Sequence, residues 1–267
     1  QWLGNINDLS VFSNVLSFSD VTAIFNGGVP NNISALSPIH YWRAEQVTFD
    51  GTNWTLIDQG SGGNNGTSVS MPLTARTSDV PLFDNKSFAY DGIADYVDCG
   101  DIAEFKSATE TTLNCWVKFD TLGTTDTLMA KWDYATQGCI AIAISNTSSD
   151  ELIVFVANSI TDVGSNRTTT TNANLSTGVW YMISIIYDGS QSNIDRVKIY
   201  VNGSIKTTTT NGTITTTLTN ATSSFKIGKF GGGLTRYIDG SIDEVSIFDV
   251  GLSASDITAI YNSGTPT

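Results

Sequence analysis

The chain has 267 residues, of which 40% are hydrophobic and only 15% charged, a composition typical of a folded domain and not of a disordered chain. Its 26 acidic residues outnumber the 13 basic ones, and the net charge of -13 argues against nucleic acid or an anionic membrane as a partner. No apolar run approaches the roughly 18 residues of a membrane-spanning helix, so we expect no membrane insertion. Because the sequence opens at Gln1 without a leader, we expect a processed or excised piece.

Residues 4–30 and residues 240–266 are two copies of one segment. They align without a gap over 27 positions, 14 of them identical. We interpret residues 1–33 as the tail of a preceding similar module, or as an added strand and helix within one globule or donated to a neighbouring subunit. Residues 34–267 are then one complete domain, and the polar, proline-bounded stretch 29–37 is the junction.

Between the two copies the sequence is a series of short β-rich runs separated by turn residues. The predicted strands are Thr111–Asp120, Gly138–Ser145, Glu151–Ala157, Trp180–Asp188 and Val197–Thr208. The pair Asn202-Gly203 predicts a hairpin with a type I′ turn, because both central residues of that turn need a positive φ. Many short strands without periodic helices indicate an all-β fold, a two-sheet antiparallel β-sandwich.

One short helix is predicted after the last strand. Ile242, Val245, Ile247 and Phe248 read as a slightly irregular strand. Ser253 then serves as N-cap with Asp256 as the capping-box acid, Leu252 and Ile257 take the staple positions, and Gly264 ends the helix. The first copy repeats these signals at Leu16, Ser17, Asp20, Val21 and Gly28.

Cysteine and histidine are too scarce for several classes of site. Cys99, Cys115 and Cys139 lack paired spacing, so we interpret them as small buried hydrophobic side chains. His40 is the single histidine of the chain, which argues against histidine-rich metal clusters and histidine-based triads.

An ordered set of fragments resembles a known family. "HYWRAE", "DQGSGGNNGT", "AYDGIADYVDCGD", "TLNCWVKFD", "LMAKWD", "WYMISIIYDG", "VKIYVNG" and "YIDGSIDEVSIFDVGLSASDITAIYN" follow one another in the chain. In this order they resemble the laminin-G-like modules of the concanavalin A-like lectin and glucanase superfamily, which are akin to pentraxins. The resemblance spans residues 38–264 and implies a jelly roll that binds more often than it catalyses.

The resemblance also implies a calcium ion near the chain ends. Its acids correspond here to Asp58 and Asp243, with Asn65 and Glu45 as further candidate ligands. Calcium takes about six to eight oxygen ligands, and glycine-rich loops supply carbonyl oxygens. The alternative is that Asp58 caps a turn and that Asp243 or Glu244 faces solvent. The first copy has Asn7 at the position of Asp243, which weakens the case for an obligate ion.

Aromatic side chains outside the regular strand patterns are the candidate sugar-binding residues, because an exposed ring can stack on the apolar face of a sugar. They are Trp54, Trp132, Tyr134, Phe230 and Tyr237. The alternative is that they pack under loops. Trp42, Trp116 and Trp180 lie within strand patterns and are expected in the core.

No carboxylate pattern for catalysis is recognised in the sequence. Retaining glycosidases need two carboxyl groups about 5 Å apart, and the glucanases of the superfamily named above carry them in an E-x-D-x-x-E strand. The sequence has no such pattern, and its five glutamates are scattered. We therefore expect that the chain is not an enzyme.

These observations favour a noncatalytic laminin-G-like module of a tandem-repeat protein, extracellular or displayed on a cell or virion surface, with calcium as its one expected cofactor. It would bind glycans or a surface protein, with neighbouring copies of the module as further partners. One alternative is a purely structural block of a virion surface, fibre or cell-surface filament. Another is an accessory lectin domain of a glycoside hydrolase.

Overall fold

A computed structural model describes residues 39–78, 86–123, 126–133, 136–145, 151–159, 165–232, 234 and 236–262, without the side chains of 43–45. The predicted tail 1–33, the junction 29–37, Tyr134 and the side chain of Glu45 therefore lie outside the described residues. The described part contains no helix that is long and apolar enough to cross a membrane.

The first sheet has β17 near its centre and consists of antiparallel strands. β17 pairs with β7 along one side and with β1 and β5 along the other, and the order continues from β7 through β12 and β13 to β14. β4 extends the opposite edge beside β5. The bounds are β1 His40–Phe49, β4 Arg76–Thr77, β5 Ser87–Asp91, β7 Glu110–Phe119, β12 Trp180–Asp188, β13 Val197–Val201, β14 Ser204–Ile205 and β17 Asp239–Phe248.

The second sheet is also antiparallel and runs in the order β2, β3, β6, β16, β8, β9, β10, β11, β15. β1 joins the two sheets, because its first residues pair with β17 and its last ones with β2 across an irregularity between Trp42 and Val47. The bounds are β2 Trp54–Asp58, β3 Gly66–Val69, β6 Tyr96–Asp98, β8 Thr127–Asp133, β9 Gln137–Ile144, β10 Leu152–Val156, β11 Arg167–Thr170, β15 Thr208–Asn211 and β16 Phe225–Ile227.

The core lies between the two sheets. Alternate residues of β7, among them Leu113, Cys115 and Val117, pack there against strands of the other sheet, as the two-residue period of a strand requires. All three cysteines are buried and free. The predicted two-sheet antiparallel sandwich is confirmed, and the described connections include the short 3-10 turns Leu73–Ala75 and Ala103–Phe105.

The helix α1 (Ala254–Tyr261) covers the outer face of the first sheet. Ile257 and Ile260 pack there with Trp116, Met182 and other buried side chains. The predicted capping box is confirmed, with Ser253 and Asp256 in both of its hydrogen bonds. The C-cap is Asn262 in the left-handed conformation, two residues before the predicted Gly264, and asparagine tolerates that conformation.

The hairpin predicted at Asn202-Gly203 is confirmed, since both residues have a positive φ. The run predicted as Val197–Thr208 is β13 and β14 around that turn, followed by the start of β15. The irregularity predicted in the last strand is a bulge between Asp243 and Ser246, with Glu244 in the left-handed region.

Candidate functional site

The glycine-rich loop after β2 is wrapped around the carboxylate of Asp58. One oxygen of Asp58 accepts hydrogen bonds from the backbone N–H groups of Tyr41 and Gly60, both at 2.9 Å. The other accepts from the Asn64 N–H at 2.8 Å and lies 2.7 Å from His40 Nδ1. Asp58 therefore holds the loop and the start of β1 together. This is the role of the alternative interpretation, in which Asp58 caps a turn.

His40 is fully buried between two carboxylates. Its Nε2 lies 3.2 Å from Glu104 Oε2, so carboxylate oxygens face both ring nitrogens and favour the imidazolium form. Burial would lower the pKa of His40, but the hydrogen bonds and charges of Asp58 and Glu104 outweigh it and raise the pKa above 6.5. Burial would raise the pKa of Asp58, but the donors around it hold that pKa below 3.8.

The candidate calcium ligands are not brought together. Asp58 bonds to His40, which lies opposite the core residue Ile247, whereas Asp243 lies opposite Trp116 on the helix side of the sheet. Cross-strand partners share a face, so the two acids belong to opposite faces. Asn65 lies beside Asp58, because the backbone N–H of Asp58 donates a hydrogen bond to the side-chain oxygen of Asn65. The described residues therefore do not bring Asp58 and Asp243 to one site, and calcium binding stays a prediction.

The donor set around Asp58 does not fit a cation, because N–H donors already occupy both carboxylate oxygens. Within the described ranges, no group of three His, Cys, Asp or Glu residues could hold a metal ion. Asp243 and Glu244 are each only 3% exposed, so the alternative that they face solvent is wrong. The bulge brings Glu244 to the hydroxyl of Tyr41, which donates a hydrogen bond to it.

Trp54 is not the exposed aromatic that its polar sequence context indicated. It is the first residue of β2 and is 6% exposed, with its ring packed against Phe49 and Phe88. Its indole N–H donates to the carbonyl of Pro72 at 3.1 Å. Trp42 and Trp116 lie in buried clusters as expected, and Trp180 is half-buried at the edge of the helix-side cluster.

Trp132 and Phe230 meet, but under a loop and not at the surface. Between β16 and β17, Lys229 and Tyr237 form an isolated antiparallel bridge. Phe230 packs on Trp132 with ring centroids 5.8 Å apart, and both are buried. A Cβ on Gly231 would lie 1.2 Å from the Trp132 carbonyl oxygen, so the connection rests directly on the backbone of β8.

Three partly exposed side chains, two aromatic and one cationic, cluster beside the loop between β5 and β6. The ammonium group of Lys229 lies 4.3 Å from the ring centroid of Tyr96 and 4.9 Å from that of Tyr237. The two tyrosine rings are 6.3 Å apart and tilted by 51°. We call Tyr96, Lys229 and Tyr237 the tyrosine–lysine cluster. Of the predicted ligand-binding residues that the structure describes, Tyr237 alone belongs to it.

The loop between β5 and β6 adjoins this cluster. The Gly92 N–H donates to the Ile238 carbonyl at 3.0 Å, which joins this loop to the residues that precede β17. Ile93, 75% exposed, marks the rim. The Asp91 carboxylate accepts three N–H groups of the loop, and Asp95 is buried beneath it. Burial, and then the charge of Asp91, raise the pKa of Asp95 to about 6.

We expect Asp95→Asn to raise the melting temperature Tm at about pH 8 and to leave it nearly unchanged near pH 4. The folded pKa of Asp95 lies above the ordinary value of 3.8. The stability that neutral Asp95 contributes is therefore complete below that value and is lost as the pH rises through about 6. Thermal denaturation across this range measures the effect, with Asp120→Asn on an exposed acid as control. A lower Tm of Asp95→Asn at both pH values would contradict the prediction.

The sequence reasoning missed Tyr96 and Lys229. Tyr96 opens the three-residue strand β6, too short for a periodic signal, and Lys229 follows β16, which is equally short. The fragment "AYDGIADYVDCGD" contained Tyr96 but served only as part of the family resemblance. Contact between the two positions depends on the pairing of β6 with β16, which no local pattern reveals.

Several solved structures share this fold. The binding domain of Paraclostridial Mosquitocidal Protein 1 matches with a TM-score of 0.57 at 12% identity over 85% of this chain and 52% of that one. The ligand-binding domain of botulinum neurotoxin serotype D, solved with N-acetylneuraminic acid, gives 0.53 at 15% identity over 86% and 54%. This chain thus spans about half the length of the toxin chains.

A further match covers almost a whole solved chain. Domain 4 of AbnA, a GH43 extracellular arabinanase from Geobacillus stearothermophilus solved with arabinotriose, gives a TM-score of 0.52 at 20% identity over 84% of this chain and 98% of that one. At such identities the likeness establishes the fold alone. No curated protein sequence matches the chain.

A family model identifies the chain by sequence. Residues 91–258, more than half of the chain, match the Laminin_G_3 model. The match spans the strands from the end of β5 to β17 and most of α1, and the jelly-roll architecture agrees with it. The chain belongs to the concanavalin A-like lectin/glucanases superfamily.

Proposed function

We propose that the protein is a noncatalytic, extracellular or surface-displayed module that binds a glycan through the tyrosine–lysine cluster. The observation that carries the proposal is the placement of the Lys229 ammonium group between two half-exposed tyrosine rings, with distances of 4.3 and 4.9 Å to the ring centroids. This surface lies where the β5–β6 loop meets the residues that precede β17.

The chemistry of this surface matches a sugar. An aromatic ring offers a flat apolar face to the C–H groups of a pyranose or furanose. Lys229 supplies three N–H donors for hydroxyl or carboxylate oxygens, and each tyrosine adds a hydroxyl. Both rings already interact with Lys229, which restricts the side chains before any ligand binds and reduces the entropy cost of binding.

The structural relatives support a glycan as the ligand class. The toxin domain was solved with N-acetylneuraminic acid and the arabinanase domain with arabinotriose, and the latter enzyme is described as extracellular. The absence of an E-x-D-x-x-E pattern from the sequence supports a noncatalytic role.

The experiment is a glycan array with the wild-type protein, followed by titration of the best glycan with variants. Tyr237→Ala should weaken binding roughly tenfold, because one stacking face is removed. Tyr237→Phe should bind almost as well as wild type, since it keeps the ring. Lys229→Gln should weaken binding, whereas Lys206→Gln on the far hairpin is the matched control.

Two outcomes would overturn the proposal. One is an array without any bound glycan. The other is a bound glycan whose affinity is the same for wild type, Tyr237→Ala and Lys229→Gln, which would place the binding surface elsewhere on the module.

A further inference from the structure

The loop between β5 and β6 buries an acid in a place that is unfavourable for a charge. Asp95 is only 4% exposed, and its Oδ1 has no hydrogen-bond partner in the described part of the chain. The backbone N–H of Asp95 donates to the Asp91 carboxylate at 3.1 Å, so a second acid belongs to the same loop. A buried carboxyl group with an unpartnered oxygen beside a like charge favours its protonated form.

Among the described residues, the elements around this loop offer Asp95 no free counter-charge. Their ionisable side chains are Tyr90 and Asp91 on β5, Asp239 and Asp243 on β17, Asp98 on β6, and Lys226 and Lys229 in and after β16. Asp91 lies opposite Asp239, so two carboxylates already meet at the base of the loop. Lys226 contacts Asp98 at 3.9 Å, and the ammonium group of Lys229 contacts the two tyrosine rings. An ionised Asp95 is therefore left beside the charge of Asp91.

The same loop positions both rings of the tyrosine–lysine cluster. Tyr96 follows Asp95 directly in the chain. On the other side, the Gly92 N–H bonds to the carbonyl of Ile238, which follows Tyr237. Three further N–H groups of the loop bond to a single carboxylate oxygen, so the loop is held as one unit. A movement at Asp95 therefore reaches both tyrosines.

We propose that Asp95 is a positioning residue of the tyrosine–lysine cluster, which binds its glycan tightly when Asp95 is protonated and weakly when Asp95 is ionised. The inference rests on the proposed glycan site and adds its regulation by pH. An ionised Asp95 needs hydrogen bonds for its unpartnered oxygen, and water supplies them when the loop opens. Opening separates Tyr96 from Tyr237, and Lys229 loses the place between the two rings.

The expected pH range is mildly acidic. Burial, and then the charge of Asp91, raise the pKa of Asp95 to about 6 in the closed loop, whereas the backbone N–H of Asp91 opposes the shift. The closed loop is therefore fully favoured below the ordinary value of 3.8 and loses this advantage as the pH rises through about 6. If the open loop restores the ordinary value, the two ionisation constants differ about 150-fold, which is the upper limit of the effect on binding.

The test is the affinity for the best glycan of the array, measured by calorimetry between pH 5 and pH 8. Wild type should bind about fivefold or more tightly at pH 5 than at pH 8, with the change centred near pH 6. Asp95→Asn is neutral at every pH, so it should bind at pH 8 as tightly as wild type does at pH 5. Asp91→Asn keeps an acceptor oxygen but removes the like charge, so the change should become smaller and move to lower pH.

Asp98→Asn is the matched control, because Asp98 flanks Tyr96 on the other side but is 33% exposed and paired with Lys226. It should keep the wild-type pH profile. A second measurement needs no ligand. In an NMR titration of the wild-type protein, the Asp95 carboxyl group and the backbone amides of Gly92 and Tyr96 should change together near pH 6.

The outcomes separate this inference from the proposed function. Equal binding at pH 5 and pH 8, with binding still weakened by Tyr237→Ala, would contradict the role of Asp95 and leave the glycan site standing. The role of Asp95 is also wrong if Asp95→Asn keeps the pH profile, if it is folded but binds at neither pH, or if Asp98→Asn changes the profile equally. Glycan binding at neither pH would overturn the proposed function, and Gly92 and Tyr96 amides that do not follow the Asp95 titration would then overturn this inference as well.

Discussion

Replacing Asp58 by alanine should destabilise the fold by about 3–5 kcal/mol at pH 7, a fall in Tm of about 10 °C. The substitution removes the acceptor of three loop and strand N–H groups and leaves the buried His40 without its closer carboxylate. A buried charge left without its partner lowers the free energy of unfolding by more than the intact ion pair contributes to it. Urea denaturation followed by tryptophan fluorescence measures the change.

Asp50→Ala is the control, because Asp50 also accepts two backbone N–H groups of a turn but is exposed to solvent. Its loss should cost far less. If the two variants were equally stable, the buried network around Asp58 would stabilise the fold no more than an exposed turn does. The claim that Asp58 organises the loop would then be wrong.

The same network has a defined pH dependence. The pKa of Asp58 is lowered, so its contribution is present above 3.8 and is lost as the pH falls through the lower folded value. The pKa of His40 is raised, so its contribution is complete below 6.5 and is lost as the pH rises through the higher folded value. The destabilisation caused by Asp58→Ala should therefore be largest between these limits.

Asp101→Ala should destabilise the protein by about 3 kcal/mol, whereas Lys131→Met should stay within about 1 kcal/mol of wild type. The Lys131 side chain is fully buried and its ammonium group contacts Asp101 at 2.5 Å and the Ser223 carbonyl at 2.9 Å. Burial lowers the pKa of Lys131, and Asp101 opposes this shift. Removal of Asp101 leaves an unpaired buried ammonium group, while methionine removes the charge and fills the space.

Lys106→Met is the control for this pair, because Lys106 also contacts Asp101 but keeps 29% of its side chain exposed. We expect less than about 1 kcal/mol for it. Chemical denaturation would contradict this prediction if Asp101→Ala and Lys131→Met lost the same free energy of unfolding. The loss would then come from the missing ion pair and not from an unpaired buried charge.

The elements that were predictable from sequence are those whose signals are contiguous. Ser253 and Asp256 lie within one turn of α1, and Asn202-Gly203 forms its turn alone, so both features follow from local chemistry. Trp54 was misjudged because the polarity around it belongs to the preceding turn, where Asp50 accepts the N–H groups of Thr52 and Asn53. Burial of Trp54 by Phe88 depends on a later strand.

The candidate site was less predictable than the fold. Tyr237 was a candidate from its loop context, but Tyr96 and Lys229 come from strands too short to show periodicity. The sequence indicates Asp58 as a candidate calcium ligand. In the structure its carboxylate instead contacts His40 and accepts hydrogen bonds from backbone N–H groups of the loop and of β1, an arrangement that only the folded backbone defines. A motif that marks an acid does not distinguish a cation ligand from the acceptor that holds a loop closed.

The position of the tyrosine–lysine cluster has a mechanical consequence. Tyr96 belongs to β6 and Lys229 follows β16 in the second sheet, whereas Tyr237 lies two residues before β17 of the first. A tethered ligand that pulls on all three side chains would distribute its load over both layers of the sandwich. Rupture under such a load would then require strands of both sheets to separate together.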